Sequence, residues 1–183
     1  MKGLNVLKIV LLGAFSSAFV SCTPADQSIF GEWVLEVSES TDMATWRYRQ
    51  LTLEIQQMQD RVEILQKWRR GKEPFYIDSL SVVPGGAETE IQIERQHWPD
   101  NWYMGVLAMK GSAKSITGNW KVQDRHLHLS VKQPVQTSQG DHLLTTEMNF
   151  QVDQKLDRLT VQVQRSTRPT PVELIFYRTK KAR

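Results

Sequence analysis

The chain has 183 residues, enough for one well-buried domain, and carries 23 Lys and Arg against 20 Asp and Glu, a formal charge of +3. Two of those lysines lie in residues 1–22, and without that stretch 21 basic residues face 20 acidic ones, which excludes a broad electrostatic footprint for nucleic acid. One cysteine, Cys22, rules out an intramolecular disulfide, so the core must supply the stability.

Lys2 and Lys8 precede the apolar run Ile9-Val10-Leu11-Leu12-Gly13-Ala14-Phe15, after which small residues lead to Ser21-Cys22. The run is too short, and too soon broken by serines, for a membrane span. Residues 1–22 resemble a bacterial lipoprotein signal, in which the cysteine receives lipid and becomes the first residue of the mature chain. The resemblance implies a diacylglycerol thioether and an N-acyl chain, such as palmitate, on Cys22, and several acyl chains together give stable anchoring without a spanning helix. Thr23 after the cysteine favours the outer membrane over the inner one in this resemblance. Residues 23–29 then read as a polar tether.

The domain is expected over residues 30–179, with a short basic tail at 180–183. Phe30-Gly31-Glu32-Trp33 opens it, and Trp33, Leu35 and Val37 alternate with Glu32, Glu36 and Ser38, the period of a strand with one buried face. Gly31 permits a tight turn or a close approach, and Trp33 is large enough to plug one end of a barrel. Leu51, Leu53 and Ile55 form the next inward face. Gln59-Asp60 turns the chain into a strand with Val62, Ile64, Gln66 and Trp68 inward and Arg61, Glu63 and Lys67 outward, the clearest hairpin in the sequence.

After a charged connection at 69–74, Phe75 to Val83 reads as a strand stopped by Pro84-Gly85-Gly86. Ile91 and Ile93 mark another. His97-Trp98-Pro99-Asp100-Asn101-Trp102 is a loop with two indoles, followed by strands at Tyr103 to Lys110 and at Ser115 to Val122. The second of these places Ile116, Gly118, Trp120 and Val122 on one side. His126 to Lys132 follows, with Leu127, Leu129 and Val131 inward. Pro134 to Gly140 reads as a polar loop. Alternation resumes around Met148, Phe150 and Val152, turns at residues 155–158, continues through Leu159, Val161 and Val163, and ends at Val172 to Arg178. Ten or eleven antiparallel strands and no convincing helix predict an all-β fold, and a sheet of that width tends to close and so protect its edges.

Together these segments resemble the lipocalin-like, calycin-type barrels found among bacterial lipoproteins, on the strength of Gly31-Glu32-Trp33, the meander of hairpins, and Ile175-Phe176-Tyr177-Arg178 at the end. The resemblance implies an antiparallel up-and-down β-barrel of about 8–11 strands and a structural clasp of Gly31, Trp33 and Arg178, the guanidinium lying across the indole. It also implies binding of a small hydrophobic or amphipathic ligand. No second lipocalin motif and no helix after the last strands are visible, so a more open barrel than the closed eight-stranded form is allowed.

Trp98, Trp102 and Tyr103 could border the mouth of a cavity and are the candidate ligand residues. His126 and His128, two apart on one strand face, have metal-ligand spacing but no visible third ligand, and no metal or other cofactor is expected. No phosphate loop, nucleophile elbow or metalloprotease helix occurs, and the carboxylates alternate outward along strands, so a binding protein is expected rather than an enzyme. Two other readings are compatible with the sequence: an envelope lipoprotein, such as an inhibitor or assembly factor, that binds protein through a barrel filled by its own side chains, and a hydrolase with a dispersed carboxylate site.

Overall fold

The structure is a computed structural model and describes residues 28–41, 50–69, 74–94, 107–153 and 155–179. Cys22, Trp98, Trp102 and Tyr103 lie outside the described residues. Among the described residues eleven strands are formed: β1 (Gly31–Leu35), β2 (Gln50–Met58), β3 (Arg61–Arg69), β4 (Pro74–Val82), β5 (Thr89–Gln92), β6 (Leu107–Ala108), β7 (Ala113–Val122), β8 (His126–Thr137), β9 (Gly140–Asp153), β10 (Arg158–Arg165) and β11 (Val172–Arg178). They make one antiparallel sheet in the order β4-β3-β2-β1-β11-β10-β9-β8-β7-β5, with β6 paired to β8. The first strand and the last are therefore neighbours, and the meander curls into an all-β, nearly closed barrel. Among the described residues, no helix is long and apolar enough to cross a membrane.

Alternation sets which side chains fill the inside. Leu127, Leu129 and Val131 of β8 meet Phe150, Met148 and Thr146 of β9, which meet Val161, Val163 and Arg165 of β10. Trp33, Phe150, Phe176, Leu51, Leu53, Ile55, Leu127, Leu129 and Leu159 have essentially no exposure, so this part of the interior is packed with side chains. Tight turns suit the residues at their corners: Gln59, Asp124 and Asp157 take positive φ at the β2–β3, β7–β8 and β9–β10 turns.

The ring is completed between β4 and β7, which share no strand ladder. Among the described residues, a backbone hydrogen bond and an ion pair bridge this seam. The Gly85 amide donates to the Gly118 carbonyl at 2.7 Å, and the Lys114 ammonium meets the Asp78 carboxylate at 2.6 Å. Gly118 is needed for the approach, since a Cβ there would lie 2.6 Å from Leu129 Cδ2 and 3.0 Å from Val82 Cγ2.

Several expectations are corrected. Val37 does not continue the buried face of β1; it is 48% exposed, because the chain leaves the ladder after Leu35. Residues 36–41 instead follow β11 through irregular bonds: Glu36 N donates to Ile175 O, Thr41 N to Glu173 O, and Ile175 N to Ser40 Oγ. Pro134 to Gly140 is not a loop. β8 runs to Thr137, and Pro134 faces Leu143 in register, so the alternation of Gln133 and Val135 continues the inner face through the proline. Val122 turns outward, 44% exposed, at a register irregularity between Trp120 and Val122. The strand expected over Tyr103 to Lys110 is confined, among the described residues, to Leu107–Ala108, because Lys110 and Gly111 form a turn with Gly111 at φ +83.

Candidate functional site

At one end of the barrel, residues 28–30 cross beneath the strands. Ile29 N donates to Asp124 O at 2.7 Å, and Phe30 stacks edge-on against Trp120 with centroids 6.0 Å apart. Trp33 is fully buried here, and its indole N–H donates to Ile29 O at 2.8 Å. Arg178 lies over the indole with its guanidinium carbon 4.2 Å from the ring centroid. The same guanidinium donates from Nη1 to Phe30 O, from Nη2 to Ser28 O and from Nε to Asp157 Oδ1, at 2.6, 2.9 and 2.7 Å. Gly31 sits at φ +133, and a Cβ added there would fall 2.6 Å from Arg178 Nη1. Gly31, Trp33 and Arg178 thus form a structural group that ties the entry segment, the first strand, the last strand and the β9–β10 turn together. It holds shape and offers no reactive group.

The interior away from this end changes character. Continuing each inward face along its strand brings Gln66 of β3, Asp78 of β4, Lys114 of β7, Gln133 of β8, Thr146 of β9 and Arg165 of β10 into the barrel. Gln66, Lys114, Gln133, Thr146 and Arg165 are all buried. Six residues of strand separate Lys114 from Trp120, which touches Phe30, so Lys114 lies about 20 Å along β7 from the Trp33 end, whereas Gln66 stands two strands from Trp33 in register through Leu53.

Lys114 and Asp78 have side chains 4% and 13% exposed and neutralise each other at 2.6 Å. Gln133 and Arg165 have interactions of their own. Gln66 differs: it is 1% exposed, it stands between Leu53 of β2 and Asp78 of β4 in register, and among the described residues neither polar atom of its carboxamide has a hydrogen-bond partner. A buried amide left unpaired costs about 1–3 kcal/mol per group.

The outer face is polar. His126 and His128 both lie there, but they do not converge on a metal. His128 Nε2 is 3.1 Å from Glu147 Oε2, and Nδ1 is 3.0 Å from Asn149 Oδ1, while Ser130 donates to the other Glu147 oxygen at 2.7 Å. Among the described residues, no group of three or more His, Cys, Asp or Glu could hold a metal ion.

A concavity of about 840 Å³ on the outer side of β8 to β11 is lined by Arg125, His126, Asp153, Arg158 and Glu173, a mixed-charge surface open to solvent. Lys67 pairs with Glu54 across β2 and β3. Near the start of the chain's irregular segment, hydrogen bonds from Ser38 hold the Glu36 carboxyl below its ordinary range. The hydrogen bond to the Glu39 carboxylate raises the Tyr177 phenol. Both groups are outside the barrel.

The inner polar group escaped the sequence reading except for Gln66, which alternation placed inward. The signal for the others was the same parity: Lys114 is two before Ile116, Asp78 two before Leu80, Arg165 two after Val163. Polar identity concealed it.

No protein-family model matches the chain, and no curated protein matches it. Among solved structures, the fatty-acid-binding protein of Manduca sexta superposes with a TM-score of 0.43 at 13% identity, covering 82% of this chain and 99% of that one. Secretory abundant heat soluble protein 4 of Ramazzottius varieornatus superposes with a TM-score of 0.48 at 10% identity, covering 84% of this chain and 96% of that one.

Proposed function

We propose that the protein is a lipid-anchored envelope protein, held at the outer membrane through Cys22, whose barrel binds a small hydrophobic or amphipathic molecule and catalyses no reaction. The observation that carries the ligand reading is the size of the ring. The path from β4 round to β7, where it closes, contains nine strands. Eight strands already give an interior that side chains just fill, and diameter grows roughly linearly with strand number. The side chains available from β7 to β11 are mostly Leu and Val, too small to compensate everywhere.

Packing supports one end of the barrel over the other as the location of the ligand. Around Trp33, Phe150 and Phe176 the interior is filled, which favours a binding region toward the opposite end, among Val131, Val135, Met148 and the buried polar residues. Trp98, Trp102 and Tyr103 contribute to its mouth in this reading, on sequence grounds alone. A second reading, a filled barrel that binds a protein partner in the envelope, is favoured by that same solid packing of the Trp33 end.

Mass spectrometry of protein isolated gently from its native membrane tests anchor and ligand together. The expected spectrum has diacylglycerol and an acyl chain on Cys22 and a small apolar molecule released on denaturation. An unmodified Cys22 overturns the anchor. Absence of a retained molecule, together with no saturable binding of an environment-sensitive dye, overturns the ligand and leaves the filled-barrel reading.

A further inference from the structure

We infer that Gln66 reads the polar end of the bound molecule, and that this end is a neutral group with both a donor and an acceptor, such as a primary amide or an alcohol, rather than a carboxylate. The inference rests on the reading of the barrel as a ligand-binding one and specifies the chemistry of the ligand. Gln66 projects inward from β3 with the apolar residues Val62, Ile64 and Trp68, is 1% exposed, and among the described residues keeps both its carboxamide nitrogen and its carboxamide oxygen without a partner. Buried polar side chains in folded proteins nearly always find partners, and an amide unmatched at both ends is rare. A molecule that offers one acceptor and one donor satisfies both ends at once.

The neighbours decide the charge. Asp78 stands directly across from Gln66 in the β3–β4 register, and its carboxylate is 2.6 Å from Lys114 Nζ. The Lys114 charge is thus already matched, and Arg165 has interactions of its own. A second carboxylate brought to Gln66 would face Asp78 in a medium of low dielectric, where like charges repel strongly. A neutral amide or hydroxyl meets no such penalty. The filled Trp33 end limits the length of the apolar tail, so ligands of medium chain length are the appropriate probes.

The experiment measures displacement of an environment-sensitive dye from the whole chain by decanamide, decanol, decanoate and methyl decanoate, which share a tail and differ in the head. Decanamide and decanol are expected to bind about tenfold or more tighter than decanoate, with methyl decanoate, which lacks a donor, weaker than either. In Gln66→Leu the preference should collapse to within about threefold while the dye still binds, because only the hydrogen bonds are lost.

Gln66→Met, which keeps the side-chain length, serves as the second variant if Gln66→Leu folds poorly. Both variants are expected to be at least as thermally stable as the parent without ligand, since an unpaired amide is replaced by apolar atoms of similar shape. Saturable dye binding with no preference for the neutral heads, or a preference that survives both variants, overturns the inference while leaving the binding reading intact. A marked fall in melting temperature of both unliganded variants also overturns it, by showing that the amide is satisfied without a ligand. Failure of the dye and of all four probes to bind overturns the binding reading itself.

Discussion

The Arg178 guanidinium engages, among its partners, the face of Trp33, two carbonyls of the entry segment and the Asp157 carboxylate. That engagement makes Gly31 the sensitive position beside it. Its φ of +133 lies where L side chains are strained, and the Cβ of any other residue would stand 2.6 Å from Arg178 Nη1. Gly31→Ala is therefore expected to cost about 1–3 kcal/mol by combining backbone strain with displacement of the arginine. Thermal denaturation checks this, and Arg178→Lys should recover little of an Arg178→Ala loss, because a point charge cannot repeat the planar fork or its stacking. The grouping of Gly31, Trp33 and Arg178 could be named from the sequence only through resemblance. Which carbonyls the guanidinium would hold could not, since Ser28 and Phe30 contribute backbone atoms that no side-chain pattern encodes.

At the scale of strands, what could be read in advance depended on alternation. The β2–β3 hairpin is marked by inward Leu51, Leu53, Ile55, Val62 and Ile64 against a polar outer face, and its two-residue turn sits at Gln59 and Asp60. β8 beyond Pro134 was hidden because proline signals a break, whereas the strand tolerates it and keeps Gln133 and Val135 buried. The seam between β4 and β7 was hidden for a different reason: its bridge is a buried ion pair between residues 36 apart, which no local period reports.

This seam is also where a single charge should matter most. Lys114→Met leaves Asp78 facing the interior without its ammonium, and removing one partner of a buried pair costs about 3–5 kcal/mol. Replacing both, in Lys114→Met with Asp78→Leu, should restore most of the stability, because neither charge then remains to be solvated. A double-mutant cycle on the melting temperature checks both outcomes, and amide exchange in the single variant should quicken first along β4 and β7, which no ladder joins.

Across the whole barrel the two ends divide the work. The end around Trp33 is filled and tied by Arg178, while the opposite end gathers buried polar side chains. If rigidity resides at the first and recognition at the second, damage to one should leave the other in place. Trp33→Ala removes a fully buried indole, and a cavity of that size costs about 3–5 kcal/mol. The melting temperature should fall steeply, yet the affinity for decanamide should stay within about twofold so long as the variant is folded.

Ligand stabilisation gives an independent reading of the same separation. At a ligand concentration a hundredfold above Kd, binding to the folded state alone adds about 2.7 kcal/mol, and the increment depends only on that affinity. Parent and Trp33→Ala proteins, each measured with and without decanamide at one fixed concentration a hundredfold above the parent's Kd, should therefore gain the same free energy from different starting points. Equal increments place the ligand beyond the reach of the Trp33 cavity. A larger increment in the variant would mean that the ligand fills the space the indole left, and that the bound tail extends through the barrel to its tied end.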